Sequence, residues 1–287
     1  MKRILIQLDT DALASTFDRV VAVDAGVDEL FTYGGVTPEN VESLVHGAMF
    51  TRSPSNLKNT AIFIGGSNVA AGEALLAKVR KTLFDPLRVS VMMDSNGSNT
   101  TAAATVIAAA RHVELAKTTA LVLGGTGPVG CRVAQILLSQ GASVRLASRT
   151  VDKAQTTCTA LAKDVDTSKL TACESTTPAG LAAACEGAEV IVGAGAARVQ
   201  FITAEQLFAL PSLKVALDLN AVAPEGLGGI SMTDKAVTKD GKICYGALGV
   251  GGTKMKIHTA AIQQLFEKNN LVLDTAAIYE IGRGLSS

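Results

Sequence analysis

The sequence has no tryptophan and only 4% aromatic residues in 287 positions, so the large anchors that dominate recognition modules are scarce. An excess of charge of either sign is also missing. With 26 basic side chains against 26 acidic ones, no overall field exists to hold a phosphate backbone or an anionic lipid surface, which argues against nucleic acid as a partner. The five cysteines (Cys131, Cys158, Cys173, Cys185, Cys244) are scattered and odd in number, without the C-x-x-C spacing of a zinc or thioredoxin site. They read as small buried thiols of a reducing compartment, the cytoplasm, and no metal is expected. Nor is there a metal-spaced His/Cys/Glu set, a Ser/His/Asp order or a P-loop, so hydrolysis and phosphoryl transfer lack their usual groups. After Met1-Lys2-Arg3 comes only a five-residue apolar segment ahead of Asp9 and Asp11, so neither a secretory leader nor a membrane span is expected.

What is present is 48% hydrophobic residues and 27 glycines, arranged as short Val/Ile/Leu runs alternating with Ala-rich helical stretches. That alternation belongs to parallel strands buried on both faces and joined by crossover helices, so the class is α/β. Strands are expected at 4–8, 20–24, 48–51, 61–65 and 89–93, with helices at 38–46, capped by Thr37, and at 68–83. A second set begins with strand 120–123, helix 129–138, strand 144–147 and helix 152–162. A short strand near Leu170 and strands 190–192 and 215–219 complete it, in a doubly wound, Rossmann-like order. The Ala/Thr-rich segment 99–116 bridges the two as a helix. The expected division is a smaller α/β domain over 1–108 and a dinucleotide-binding domain over 109–252, separated by a cleft. Residues 253–287 carry two helical patterns that could return to the first domain.

The strongest local signal is the strand Ala120-Leu-Val-Leu running into Gly125-Thr126-Gly127-Pro128-Val129-Gly130 and then a helix. Gly125 is assigned the tight turn, Gly127 the close approach of a pyrophosphate, and Gly130 the close packing of helix on strand. The helix start then offers unpaired N–H groups and the positive end of its dipole to the phosphates. At the end of the next strand, where an NAD site usually carries a carboxylate, the sequence is Ser148-Arg149-Thr150. A serine hydroxyl and a planar guanidinium suit a 2′-phosphate, so NADP is the expected coenzyme. Lys153 is either a third phosphate contact or a solvated helix lysine. Ala194 and Gly195 either line the nicotinamide side of the crevice or form a compact turn; Asp218 and Asn220, ending another strand, are expected as ligand contacts, with turn capping the alternative for Asp218.

In the first domain, Asp94-Ser95-Asn96-Gly97-Ser98-Asn99-Thr100-Thr101 packs many hydrogen-bonding groups into little volume after a buried strand. This suits a heteroaromatic ligand with amide-like edges; a helix-capping loop is the alternative. Nearer the end, Tyr245-Gly-Ala-Leu-Gly-Val-Gly-Gly252 leads into a helix with Lys254, Lys256 and His258. The two lysines, two residues apart, cannot share a face, and a lone histidine is more often structural than catalytic.

Taken together, Gln7-Leu-Asp9-Thr-Asp11, Phe17-Asp18, Tyr33-Gly-x-Val36-Thr-Pro38-Glu-Asn40-Val41, Ala61-Ile-Phe-Ile-Gly65-Gly66, the stretch from Asp94 to Ala104, Gly125 to Gly130, Asp152-Lys-Ala-Gln155 and Gly246 to Gly252 resemble the NADP-dependent methylene-tetrahydromethanopterin and methylene-tetrahydrofolate dehydrogenases of methylotrophic bacteria. The resemblance runs through nearly the whole chain and is weakest over 156–184. It implies a pterin in the interdomain cleft, touched by Asp18 and the Asp94–Thr101 loop with Lys256 near its rings, and Asp18 and Lys256 as the residues closest to the chemistry. It also implies a homo-oligomer, a trimer by preference. The implied reaction is oxidation of the methylene-pterin to the methenyl form with direct hydride transfer to NADP, in which alignment replaces acid–base catalysis. Two alternatives keep the coenzyme: a quinate/shikimate-type carbonyl reductase, which needs a proton donor, and a non-catalytic NADP-binding regulatory protein.

Overall fold

The computed structural model describes residues 1–285. The chain divides into two compact units, Met1–Thr100 with the chain from Met255 onward, and Thr101–Lys254.

The first unit runs β1 (Ile4–Asp9), α1 (Thr16–Asp24), β2 (Glu29–Tyr33), α2 (Glu42–Phe50), β3 (Thr60–Gly65), α3 (Val69–Thr82) and β4 (Ser90–Met93), and α4 (Ser98–Ala110) begins in it. The second unit holds β5 (Thr119–Leu123), α5 (Pro128–Ser139), β6 (Ser143–Ser148), α6 (Val151–Leu161), β7 (Leu170–Glu174), α7 (Pro178–Cys185), β8 (Val190–Gly193), α8 (Ala204–Phe208), β9 (Val215–Asp218), β10 (Lys235–Lys239) and β11 (Lys242–Tyr245). Helix α9 (Ala247–Gln264) leads back to the first unit, where β12 (Val272–Leu273) and α10 (Thr275–Gly284) close the chain.

The first sheet has the order β12-β4-β3-β1-β2 with every pairing parallel. Its order reverses between β1 and β3, so the carboxyl ends of those strands open the crevice where ligands of open α/β sheets bind. Strands β3 and β4 are buried along their whole length, as a sheet covered by helices on both faces requires. Leu8, Val45, Met49, Ile62, Leu75 and Val91 form one apolar core under it.

The second sheet has the order β10-β11-β9-β8-β5-β6-β7, parallel except for the β10–β11 hairpin, and reverses between β5 and β8. This is the Rossmann arrangement with one antiparallel edge strand added. Leu121, Leu123, Ile191, Leu207, Ala216 and Cys244 belong to its core.

Two expected strands are helices. Residues 20–24 close α1, because Ser15 caps its start by accepting the Asp18 N–H at 3.2 Å and only Val21 and Ala22 face the core. The valine run has helical, not alternating, burial. Residues 48–51 fall at the end of α2, where Val45, Ala48 and Met49 are buried at helical spacing. That helix begins at Glu42 and not at Pro38, because Asn40 takes the Thr37 N–H at 2.8 Å and donates to the Gly35 carbonyl at 3.1 Å, closing a turn that competes with helix. The real second strand, β2, is an edge with an intermediate-to-exposed pattern that carries little hydrophobic signal.

Candidate active site

In the second unit the chain leaves β5 through Gly124, whose φ of 69° lies in the left-handed region. A Cβ there would stand 2.6 Å from the Gly195 Cα and 2.7 Å from its nitrogen, so only glycine fits. The tight turn therefore belongs to Gly124, correcting its assignment to Gly125. Gly125 is instead pinned by its N–H to the Ala147 carbonyl at 2.9 Å and by Leu146, which would lie 2.7 Å from any Cβ. At Gly130 a Cβ would meet the Gly124 oxygen and the Gly125 Cα, both at 2.8 Å, which is the close seating of α5 on the loop. Gly127 differs. Its nearest neighbours would be the Gly124 and Ala194 oxygens at 3.3 and 3.4 Å, a tight fit but far looser than at the other three glycines, so this is the least enclosed point of the loop. A phosphate approaching backbone N–H groups needs that space.

Gly127 is the N-cap of α5 and Pro128, which has no N–H, stands at its first turn. The first-turn amides that follow, Val129 and Gly130 among them, have no acceptor within the helix and face any ligand over the loop. Thr126 sits across from β6, its Oγ1 3.5 Å from the Ser148 Oγ. Ser148 is buried at the end of β6, while Arg149 and Lys153 are exposed. Thr150 caps α6 by accepting the Lys153 N–H at 3.3 Å. The residues present thus fit a dinucleotide bearing an extra phosphate: a backbone cradle, a hydroxyl and two cations, with no carboxylate at the end of β6.

Ala194 and Gly195 are half-buried beside that cradle, with the Phe201 ring 2.1 Å from where a Gly195 Cβ would be. Asp218 turns inward and is 1% exposed; its carboxylate accepts the N–H groups of Asn220 (3.2 Å), Gly226 (2.8 Å) and Leu227 (3.2 Å). Burial nonetheless pushes its carboxyl above the usual range, with those three donors pulling the other way. Asn220 is half-buried and spends its side chain on its own loop, donating to the Pro224 carbonyl at 3.0 Å and accepting the Val222 N–H at 3.1 Å. Both residues build the loop after β9.

In the first unit, the crevice between β1 and β3 is lined by carboxylates. Asp9, fully buried, accepts the N–H of Asp11 and of Ser15, each at 2.9 Å, and so shapes the loop that starts α1. Asp18 stands half-buried in the first turn of α1; a Cβ on Gly65 would lie 3.1 Å from Asp9 Oδ2 and 3.4 Å from Asp18 Oδ2. The two carboxylates therefore flank one point above the end of β3.

The polar stretch after β4 divides in two. Asp94 accepts the N–H groups of Asn99 (2.9 Å) and Thr100 (3.0 Å) and the Thr100 hydroxyl (2.6 Å), capping α4. Asn99 donates to the Met93 carbonyl at 2.7 Å and accepts from Thr275 at 2.8 Å. Ser98 and Ser95 donate to the carbonyls of Ser95 and Gly65. These residues are buried and hold the fold together, the capping role that the sequence left open. The exposed side chain is Asn96, in left-handed backbone with φ 55° and its N–H on the Gly66 carbonyl at 2.7 Å; Thr101 is half-buried.

On α9, Lys254 is half-buried and Lys256 exposed, while His258 is fully buried with its ring stacked on Phe63 at 5.6 Å and tilted against Phe17 at 6.3 Å. That histidine is packed into the first unit beside two phenylalanines. Cys158, Cys185 and Cys244 are buried, and burial pushes the Cys185 and Cys244 thiols up to about 11, which makes them poor nucleophiles. Sequence reasoning missed Gly124, which precedes the recognisable motif, and the scaffolding by Asp9, which has no local signature.

Comparison with known proteins bears on the whole chain. The family described as methylene-tetrahydromethanopterin dehydrogenase, N-terminal, matches residues 16–96. The bifunctional protein MdtA of Methylorubrum extorquens is 42% identical over 99% of this chain and 99% of its own length. The NAD(P)-dependent methylenetetrahydromethanopterin dehydrogenase of the same organism is 32% identical over 93% of each chain. Among solved structures, the quinate dehydrogenase from Corynebacterium glutamicum in complex with NAD aligns with a TM-score of 0.52 at 13% identity, covering 100% of this chain and 99% of that one, a likeness of fold. Among the described residues no helix is long and apolar enough to cross a membrane.

Proposed function

This chain belongs to the methylene-tetrahydromethanopterin dehydrogenase family, and from that premise we propose how it works: it is an NADP-dependent oxidoreductase that takes a hydride from methylene-tetrahydromethanopterin and leaves the methenyl form. The observation that carries the coenzyme half is the Gly124–Gly130 loop, where a Cβ on Gly124, Gly125 or Gly130 would stand under 3 Å from a neighbour and only Gly127 is less tightly enclosed. When bound, NADP supplies the hydride acceptor. The chain's residues supply position. The α5 amides and Thr126 take the pyrophosphate, Ser148 and Arg149 take the 2′-phosphate, with Lys153 adding charge, and Ala194 and Gly195 give the nicotinamide a small-residue floor.

For the pterin, Asp18 accepts from the amino group and ring N–H of the bicyclic head, a pair of charge-assisted bonds each contributing roughly 1.5–3 kcal/mol. Asn96 and Thr101 offer amide and hydroxyl groups at the start of α4, and Lys256 lies near the ring system. Asp94, Ser95, Ser98, Asn99 and Thr100 act one layer back, by fixing the backbone that presents Asn96. A methylene carbon between two nitrogens releases hydride because a nitrogen lone pair stabilises the cation formed, so no side chain has to move a proton. Methylene-tetrahydrofolate carries the same one-carbon bridge and is a second substrate of the same site. The free thiols fit a reducing compartment, the cytoplasm, and the assembly to test is the homotrimer that the family resemblance implies.

The test is formation of reduced coenzyme from each methylene-pterin with NADP or NAD, using the intact enzyme and Asp18→Ala. Turnover with methylene-tetrahydromethanopterin and NADP is expected, with the KM for pterin raised at least tenfold in Asp18→Ala and the KM for NADP unchanged. Absence of turnover with either pterin would overturn the substrate, and an unchanged pterin KM in a folded variant would remove Asp18 from the site.

A further inference from the structure

We propose that Thr176, in the turn after β7, is a positioning residue for coenzyme discrimination: its hydroxyl holds the peptide that aims Arg149 at the 2′-phosphate. The inference rests on the assignment of Ser148 and Arg149 to that phosphate. Strands β6 and β7 pair up to Ser148 and Glu174, where the ladder ends. The chain beyond β7 stays attached. The Ser175 N–H donates to the Ser148 carbonyl at 2.9 Å and the Ser175 Oγ to the same oxygen at 3.3 Å, and the Thr176 Oγ1 donates to the Arg149 carbonyl at 2.9 Å. Thr150, the next residue, is already the N-cap of α6. Arg149 is thus one residue between a strand end and a helix cap, with its carbonyl clamped from the side by a neighbouring segment.

That segment is itself fixed. Glu174 accepts the Thr177 N–H at 2.9 Å, and Thr177 caps α7 by accepting the Gly180 N–H at 3.1 Å. The clamp is therefore anchored on α7, and its reach ends at the Arg149–Thr150 peptide. Arg149 and Thr176 are both exposed, so the bond between them adds little to folding stability. What it does is orient. A long, flexible guanidinium on an unclamped turn loses more freedom when it captures a phosphate, and a preset backbone lowers that cost. NAD has a hydroxyl where NADP has the phosphate dianion, so a clamp that serves Arg149 acts on one coenzyme and not the other.

Thr176→Val removes the hydroxyl and keeps the shape. The expected result for the intact enzyme is a KM for NADP raised about fivefold, the scale of ordering one rotamer-rich side chain, with the KM for NAD, kcat at saturating coenzyme and Tm all unchanged. Thr176→Ser should restore the NADP value, and Thr176→Ala replaces the valine variant if that one melts early. An equal rise for both coenzymes, or none, would overturn the clamp. Arg149→Glu, measured alongside, separates the two levels. A selective loss of NADP there with no effect of Thr176→Val would sink only the positioning role, whereas no selectivity in Arg149→Glu would remove the phosphate assignment and the inference with it.

Discussion

Replacing Gly127 and Gly130 by alanine, one at a time, separates space that the fold needs from space reserved for a ligand. At Gly130 the new methyl would sit 2.8 Å from two backbone atoms of the same loop, so α5 or the loop has to move. Overpacking of that kind costs about 3 kcal/mol, or roughly 6–12 °C in Tm for a chain of this size. At Gly127 the nearest contacts are 3.3 and 3.4 Å, which two carbonyl oxygens relieve by yielding a few tenths of an ångström, and φ is −78°, which alanine adopts. The folding penalty there is the poorer N-cap, about 1 kcal/mol, or about 2–4 °C. The methyl instead fills the opening through which a pyrophosphate reaches the amides, so the Kd for NADP should rise tenfold or more, at least about 1.4 kcal/mol. Thermal melts and coenzyme titration on both variants check this. A Gly127→Ala protein that melts a few degrees lower yet binds NADP like the parent would refute the identification of this loop as the phosphate cradle.

Other outcomes follow from the same geometry. Asp94→Ala strips three buried donors of their acceptor and should lower stability by roughly 2–4 kcal/mol, visible in denaturant unfolding, whereas Asn96→Gly, which removes the side chain and keeps the left-handed backbone, should leave stability nearly unchanged and raise the pterin KM. The reverse pattern would show that Asp94 meets the ligand directly. Asp218 gives a pH signature. Burial raises its carboxyl in the folded chain, so folding favours the proton, and this residue's contribution to stability falls as pH rises through the acid range and stays reduced above the folded value. The Tm advantage of the parent over Asp218→Asn should therefore shrink as pH increases from about 4, the unfolded carboxyl value. An advantage that grows with pH would mean that the three backbone donors outweigh burial.

Much of this was legible in the sequence because it depends on neighbours along the chain. The β5–loop–α5 motif, the buried strands β3, β8 and β9, and the Ser148-Arg149 pair are local: apolar runs bounded by glycine, and a strand end lacking a carboxylate. Backbone sterics and strand burial act over a few residues, so a short window suffices. Helix α1, expected as a strand over 20–24, and strand β2, which carries no expectation, are the opposite case. Val20-Val21-Ala-Val23 is apolar enough for either period, and the edge strand Glu29–Tyr33 buries too little to announce itself.

Only the tertiary structure decided which polar residues serve the fold and which are left over for a ligand. Asp94, Asn99 and Asp218 look identical in sequence to binding residues; their partners, Thr275 for Asn99 and Gly226 for Asp218, lie far along the chain or across a loop. Composition can specify that a carboxylate exists at a strand end. Whether its oxygens meet backbone N–H groups or a substrate depends on which segments the folded sheet brings within about 3 Å, and that distance is a property of packing, not of sequence spacing.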